Sequence, residues 1–508
     1  MFSSIYSAAI IGIEARPVRV EADVSDGLPQ FSMVGYLTAQ VREAEERVRT
    51  ALKNAGIFLH PKRVTINISP ADIIKTGSRF DLPVAIGVLS SEGLVPEEAL
   101  DGLMAVGELS LSGEVNAVTG VLPIAVQARQ MGMKALVVPE ANLREARVVT
   151  GLNVIGIRSL TELIDYLRHG EVPEDDEEAV DTALNEYDVD FSDIRGQGAV
   201  KRAAVVAAAG FHNLLLIGPP GSGKTMLARR MPTIMPPLTM EESLEISQIY
   251  SIAGLLKPEK PFMGTRPFRA PHHTMSAQAL AGGGRIPTPG ELTLAHRGIL
   301  FLDEIAEFGR SSIEILRQPL EDREIVISRI AGSFRFPASF LLLAAMNPCP
   351  CGYYPDMNRC HCTPRQISVY MNKISQPLLD RIDLCVECPA VTYEELTGEG
   401  DRGEPSVVLR EQVIRVHEIQ KARFTGTGLH FNSEIPASRL EEFCPMTGGA
   451  AALMEKAFRQ MQLSARGYHR ILKVARTIAD LAGEQVIDVP AVSEAICYRS
   501  IDRKYWRM

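Results

Sequence analysis

The sequence predicts an α/β protein of about three domains. Residues 1–170 read as α+β, 191–392 as a parallel sheet with helices on both faces, and 393–508 as helices. Three observations predict this. An apolar run, Leu214-Leu215-Leu216-Ile217, enters Gly218-Pro219-Pro220-Gly221-Ser222-Gly223-Lys224-Thr225 and leaves into the helix-forming Met226-Leu227-Ala228-Arg229-Arg230. Two further apolar runs, 299–302 and 340–346, end in polar residues, Asp303-Glu304 and Asn347. Beyond 393 apolar residues recur at helical spacing, notably over 451–463 and 470–482.

In the N-terminal part, Val64-Thr65-Ile66-Asn67-Ile68-Ser69 alternates like a half-buried strand, and 42–52 reads as a helix charged on one side. Residues 171–190 hold ten acidic and no basic side chains and read as a linker. The chain carries a net charge of −9, but the remainder without this stretch carries +1, so a nucleic-acid partner stays open. No run is apolar and long enough to span a bilayer, and 1–13 lacks the pattern of a signal peptide. Eight cysteines in a chain of 508 residues then point to the reducing cytoplasm.

The glycine-rich segment fits the G-x-x-x-x-G-K-[ST] phosphate loop. Its glycines let backbone N–H groups turn toward phosphate at a helix N-terminus. Lys224 would reach the β- and γ-phosphates of ATP, and Thr225 would place its hydroxyl on Mg²⁺. Acidic residues at the end of a neighbouring core strand fall beside such a loop. Asp303 can therefore hold Mg²⁺, Glu304 can polarise the attacking water, and Asn347 can orient it. Two arginines, Arg381 in Leu378-Leu379-Asp380-Arg381-Ile382-Asp383-Leu384 and Arg466 at the start of the run 464–481, are candidates for the γ-phosphate; a surface ion pair is the plain alternative.

Glu324–Arg329, a Gly332-containing turn and Phe334-Arg335-Phe336-Pro337 read as a β-hairpin. Arg329 and Arg335 could touch DNA phosphates and Phe334 or Phe336 stack on bases, or the hairpin is merely structural. Residues 262–297 carry Arg266, Arg269, Arg285 and Arg297 against one acid, Glu291, with Gly282-Gly283-Gly284 among them. His272-His273, adjacent on regular backbone, would point apart and make a poor metal pair, so packing or a pore-loop role is expected there. Cys349-x-Cys351 and Cys360-x-Cys362 close a short loop that suits tetrahedral zinc, with free thiols as the alternative. His361 is a weaker candidate, and Cys385 and Cys388 read as core.

The set GPPGSGKT, GILFLDE, AAMNPCPCG, PLLDRIDL and SARGYHRILKVARTIADL resembles the magnesium-chelatase-like AAA+ ATPases, and within them the ComM (YifB) family, over essentially the whole chain. The resemblance implies that Asn347 is the sensor-1 residue, Arg381 a finger acting on a neighbouring subunit, and Arg466 the lid arginine called sensor 2, with Arg470 as second choice. It also implies a homo-oligomeric ring, a hexamer. Residues 1–170 resemble the Lon protease fold at 107–110, 120–124 and 135–140. Lon chemistry needs a serine activated by a lysine. By register those positions hold Arg79 and Ala128, and Ser78 has no evident base. The Lys75…Arg79-Phe80 patch is similar to a motif in the Lon-like domain of RadA recombination ATPases, which implies a DNA contact at Lys75 and Arg79, with a surface loop as the alternative.

Three functions follow for comparison. The resemblance implies an ATP-driven motor on single-stranded or branched DNA, a helicase for branch migration in recombination and natural transformation. A chelatase-type motor subunit and a Lon-type protease are the alternatives. The absent dyad argues against the protease, and the N-terminal domain against the chelatase subunit.

Overall fold

A computed structural model describes residues 1–171, 187–285, 287–329, 332–393 and 403–506. Most of the acidic stretch expected to be a linker lies outside the described residues. The N-terminal part is a seven-stranded mixed sheet of β1 (Phe2–Ile11), β2 (Glu14–Ser25), β3 (Gln30–Val34), β4 (Arg63–Ser69), β5 (Leu103–Ala105), β8 (Ala135–Pro139) and β9 (Val154–Ile157), ordered β3-β4-β2-β1-β5-β8-β9; β6 (Glu108–Leu109) and β7 (Val115–Asn116) form a small hairpin beside it. The alternation read at 64–69 is real: β4 buries Val64, Ile66 and Ile68 and turns Thr65 and Asn67 toward the other side. The helix read at 42–52 is Ala44–Asn54. The Asp81–Ser91 helix is buried along its whole length, which suits a segment apolar on every side.

The central part is a five-stranded, all-parallel sheet of β10 (Leu214–Ile217), β11 (Phe268–Arg269), β14 (Ile299–Leu302), β17 (Leu341–Met346) and β18 (Leu384–Glu387), ordered β11-β14-β17-β10-β18. Side chains of β10, β14 and β17 are buried on both faces, as continuous apolar strands under two helical layers must be. Two hairpins project from this core: β12 (Gly282–Gly283) with β13 (Thr288–Pro289), and β15 (Glu324–Arg329) with β16 (Gly332–Pro337).

The C-terminal helices Ser406–Arg423, Gly448–Met461, Ala465–Ala482 and Val489–Trp506 pack on the sheet and share one apolar cluster with β10, β14 and β17. The N-terminal part is joined to the core where the Val121–Gln130 helix meets the Met240–Ile252 helix. Gly120 N–H donates to the Ser251 carbonyl at 3.1 Å, and the Ser251 hydroxyl donates to Glu145. Ile13, on the β1–β2 turn, packs on Ile246 and Ile249 across the same seam. Among the described residues no helix is long and apolar enough to cross a membrane.

Candidate nucleotide site and cysteine cluster

Strands β14, β17 and β10 lie side by side, so their C-terminal ends deliver Asp303, Asn347 and the Gly218–Thr225 loop to one edge of the sheet. Gly221 and Gly223 adopt φ of +77° and +79°, which turns the loop back on itself before the Lys224–Ile234 helix begins. Gly218 is required by space: a Cβ there would lie 2.2 Å from the Cys388 carbonyl oxygen. The Lys224 ammonium donates to the carbonyls of Gly218 and Pro219 at 2.8 Å each and reaches Asn347 Oδ1 at 3.4 Å. Burial pushes its pKa below the usual lysine value.

The Thr225 hydroxyl donates to Asp303 Oδ2 at 2.7 Å, and Asp303 Oδ1 accepts from the Glu304 N–H at 2.9 Å. Glu304 holds φ of +49°, an unusual conformation for a residue with a Cβ, and its carboxylate is half exposed. These groups line a cavity of about 320 Å³ with Arg229, His272 and His273. The donor set fits its expected occupants: paired hydroxyl and carboxylate oxygens suit Mg²⁺, and the ammonium beside a left-handed glycine loop suits phosphate.

The two histidines do not behave as expected from sequence. The backbone at 270–273 is neither strand nor helix, so adjacent rings need not diverge. Their rings lie tilted by 34° with centroids 4.1 Å apart, and His273 Nδ1 lies 3.9 Å from Glu304 Oε2. They belong to the wall of the cavity that Thr225, Asp303 and Glu304 line. Gln197 was also missed. Its side-chain amide donates to the Ser222 carbonyl at 2.6 Å and the Pro389 carbonyl at 3.2 Å, bracing the phosphate loop from outside. The one local signal is Arg195-Gly196-Gln197-Gly198, where glycines flank a residue at φ of +54°.

Arg381 and Arg466 lie elsewhere. Both guanidinium groups meet the same carboxylate: Arg381 pairs with Glu321 Oε2, and Arg466 Nη2 is 3.2 Å from Glu321 Oε1. They line a second cavity of about 480 Å³ with Arg323, Arg470 and Lys473, and none of residues 218–225 contributes to it. Arg470 binds Asp383 at 2.6 Å. Burial holds Lys473 down to about 8. Cations outnumber the acids Glu321, Asp383 and Glu434 in this lining.

The residues assigned to DNA divide sharply. Arg329, Arg335 and Arg285 are exposed. Arg329 Nε donates to the Gly284 carbonyl at 3.2 Å, which brings the two hairpins together at one tip, and Arg335 pairs with Glu324 at 3.0 Å. Arg266, Arg269, Lys75 and Arg79 do not present a basic surface. Arg266 is buried against Glu242 at 3.0 Å, and Arg269 is held at 2.7 Å by both oxygens of Glu291. Lys75 is buried with its ammonium on the Pro70 carbonyl. Arg79 is buried too, which lowers its pKa to about 10. Phe334 and Phe336 face the core and cannot stack on a base. Charge counting within 262–297 missed Glu242 because it stands 24 residues before Arg266. In the same region Ala128 is buried and the Ser78 hydroxyl donates to Glu108, so no lysine serves Ser78.

Cys349, Cys351, Cys360 and Cys362 converge, with all four sulfurs within 4.8 Å of one another. Three of the separations are 3.3, 3.6 and 3.8 Å. Four sulfurs ~2.3 Å from a tetrahedral zinc stand roughly 3.8 Å apart, so the cluster fits that ion. Burial opposes ionisation at Cys351, but hydrogen bonds from the Tyr353 backbone and the other three thiols bring it down to about 6. Cys385 and Cys388 are buried core residues, as expected.

Fold and site together define an AAA+ ATPase of the magnesium-chelatase class. The family model described as "Magnesium chelatase, subunit ChlI" matches residues 190–396, "Subunit ChlI of Mg-chelatase" matches 20–142, and "Magnesium chelatase, subunit ChlI C-terminal" matches 403–499. The chain is 43% identical to "Competence protein ComM" of Haemophilus influenzae over 505 residues, covering 98% of this chain and 97% of that protein. It is 39% identical to "Uncharacterized protein YifB" of Escherichia coli over 503 residues, 99% and 97% of the two chains. The chain belongs to the ComM/YifB family. Against the "Magnesium-chelatase 38 kDa subunit" of Rhodobacter capsulatus it is 26% identical over 174 residues, 31% of this chain and 50% of that one. Because a ChlI model matches 20–142, the N-terminal domain does not by itself set the chain apart from chelatase subunits.

Proposed function

We propose that this chain is an ATP-driven motor that closes into a ring, a hexamer, and acts on single-stranded or branched DNA. The observation that carries the reading is the division of the chemistry between two cavities. One holds Thr225, Asp303 and Glu304 beside Lys224; the other holds Arg381 and Arg466, with no residue of the phosphate loop. A head-to-tail ring joins each half to its complement on the next copy. In this reading Lys224 binds the β- and γ-phosphates, and Thr225 and Asp303 hold Mg²⁺. Glu304 and Asn347 orient the attacking water. Arg381 and Arg466 come from the neighbour to offset charge on the γ-phosphate. Hydrolysis then depends on contact between copies.

The DNA part of the proposal rests on the exposed tip where Arg329 meets Gly284 beside Arg285, on the exposed Arg335 further back along the hairpin, and on the relative named a competence protein. Family resemblance extends it to branch migration during recombination of incoming DNA. The four cysteines hold a structural zinc, since four sulfurs leave no open coordination position.

The deciding experiment measures ATP hydrolysis and unwinding of a forked DNA by the purified chain. Hydrolysis stimulated by the fork and falling steeply with salt is expected. Hydrolysis indifferent to DNA, with rings forming only beside a second protein subunit, points instead to a chelatase-type remodelling role. ATP-dependent casein cleavage revives the protease reading. Metal analysis of protein never exposed to chelator is expected to find about one zinc per chain.

A further inference from the structure

The cysteine cluster adjoins the nucleotide site. Cys349 follows Asn347 by two residues, so the strand that delivers Asn347 runs directly into the first thiol. The loop then folds back, with the Gly352 N–H donating to the Cys349 carbonyl at 3.0 Å. Gly352 is buried and holds φ of +87°. A Cβ placed on it would lie 2.6 Å from Pro220 Cδ and 3.9 Å from Asn347 Cγ. The glycine of the cysteine loop is therefore pressed against the proline of the phosphate loop. That same loop presents the Gly218 and Pro219 carbonyls to Lys224.

The opposite side of the loop is fixed. The Tyr354 N–H donates to Cys349 Sγ at 3.4 Å, and the Tyr354 ring stands edge-on to Tyr505 of the last helix at 6.1 Å. Between Tyr354 and Cys360, residues 355–359 are exposed. A segment with so little apolar burial takes its order from whatever gathers the four sulfurs, because metal binding to such a loop is also its folding energy. A metal there holds Gly352 against Pro220 from behind.

We propose that the metal at Cys349, Cys351, Cys360 and Cys362 sets the position of the phosphate loop through the Gly352–Pro220 contact, so that affinity for nucleotide depends on the metal. The inference rests on the zinc reading above. Loss of the metal frees Gly352, and the phosphate loop spends less time in its binding position. If that fraction falls to about one tenth, apparent affinity falls about tenfold.

The test titrates a fluorescent ATP analogue into the full-length protein in three states: zinc-loaded, stripped of zinc, and stripped with zinc alone added back. Zinc is counted and far-ultraviolet circular dichroism recorded each time. Affinity is expected to fall about tenfold on stripping and to return with zinc. Gly352→Ala keeps all four thiols and decides the matter even if the stripped protein loses its fold. It is expected to hold about one zinc per chain and to bind the analogue about tenfold more weakly. A folded, zinc-free protein that binds within about twofold of the loaded one overturns the inference, as does a zinc-loaded Gly352→Ala that binds like its parent. Protein that never acquires zinc overturns the zinc reading and this inference together, whereas zinc present with affinity indifferent to it overturns only the inference.

Discussion

The two cavities of this molecule differ in how they are made. The phosphate-loop cavity draws on Thr225, at the end of the Gly218–Thr225 run, on Asp303 and Glu304 just past β14, and on residues from 268–273. The arginine cavity gathers residues from 319–323, 381–383, 433–437 and 466–473, segments that meet only in the folded chain. In the proposed reading the first binds nucleotide with residues of its own copy. The second holds Arg381 and Arg466 on one carboxylate, Glu321, and takes no residue from 218–225. In the proposed ring, one half of the reaction centre lies within each copy and the other half comes from its neighbour.

Breaking each half should give different failures. The largest effect is expected from Lys224→Ala, which removes the buried ammonium beside the phosphate loop. Nucleotide binding in a fluorescence titration and hydrolysis should both fall to background. Arg381→Ala should bind nucleotide like its parent yet hydrolyse it about 10³-fold more slowly or worse. Mixed into normal protein, it should depress hydrolysis by more than its share of subunits. Inhibition in strict proportion to its share would show that each copy works alone.

Two arginines that the sequence assigns alike to DNA, Arg266 and Arg335, are also told apart by the fold. Arg266→Ala leaves Glu242 buried without its partner, and should lower unfolding free energy by about 3–5 kcal/mol in a denaturant titration. Arg335→Ala, exposed on the hairpin, should leave stability unchanged within about 0.5 kcal/mol. It should weaken DNA binding and lower the salt slope by about 1.

An effect smaller than that of Arg266→Ala concerns Lys473. Burial lowers its pKa from 10.5 to about 8, so between those values the unfolded chain binds more protons and stability rises with pH. Below about pH 8 the buried charge costs stability. Lys473→Met should therefore stabilise nucleotide-free protein at pH 7 by on the order of 1–3 kcal/mol, with the gain fading as pH approaches 10.5. Equal stabilisation at both pH values would remove charge as the cause.

Much of this was legible before the fold. Glycines at fixed spacing, continuous apolar strands and thiols two residues apart are local signals, and the elements they mark appear at Leu214–Ile217, Ile299–Leu302 and in the four-sulfur cluster. The failures among lysines and arginines share one cause. Lys75, Arg79, Arg266 and Arg269 look alike to a count of charges, but three of them are buried and the fourth is held by Glu291. His272 and His273 fail for a different, local reason: they look divergent on regular backbone, yet their rings lie 4.1 Å apart beside Glu304 where the backbone is irregular.

By itself the sequence determined the parallel-sheet core, the phosphate loop with its acidic and amide partners, and the cysteine set, because each depends on residue type and short spacing. Only the tertiary structure decided which arginines face solvent, that Arg381 and Arg466 share Glu321 in a cavity of their own, and that Gly352 abuts Pro220. Burial and pairing between distant segments are properties of packing, and a linear pattern of charges does not contain them.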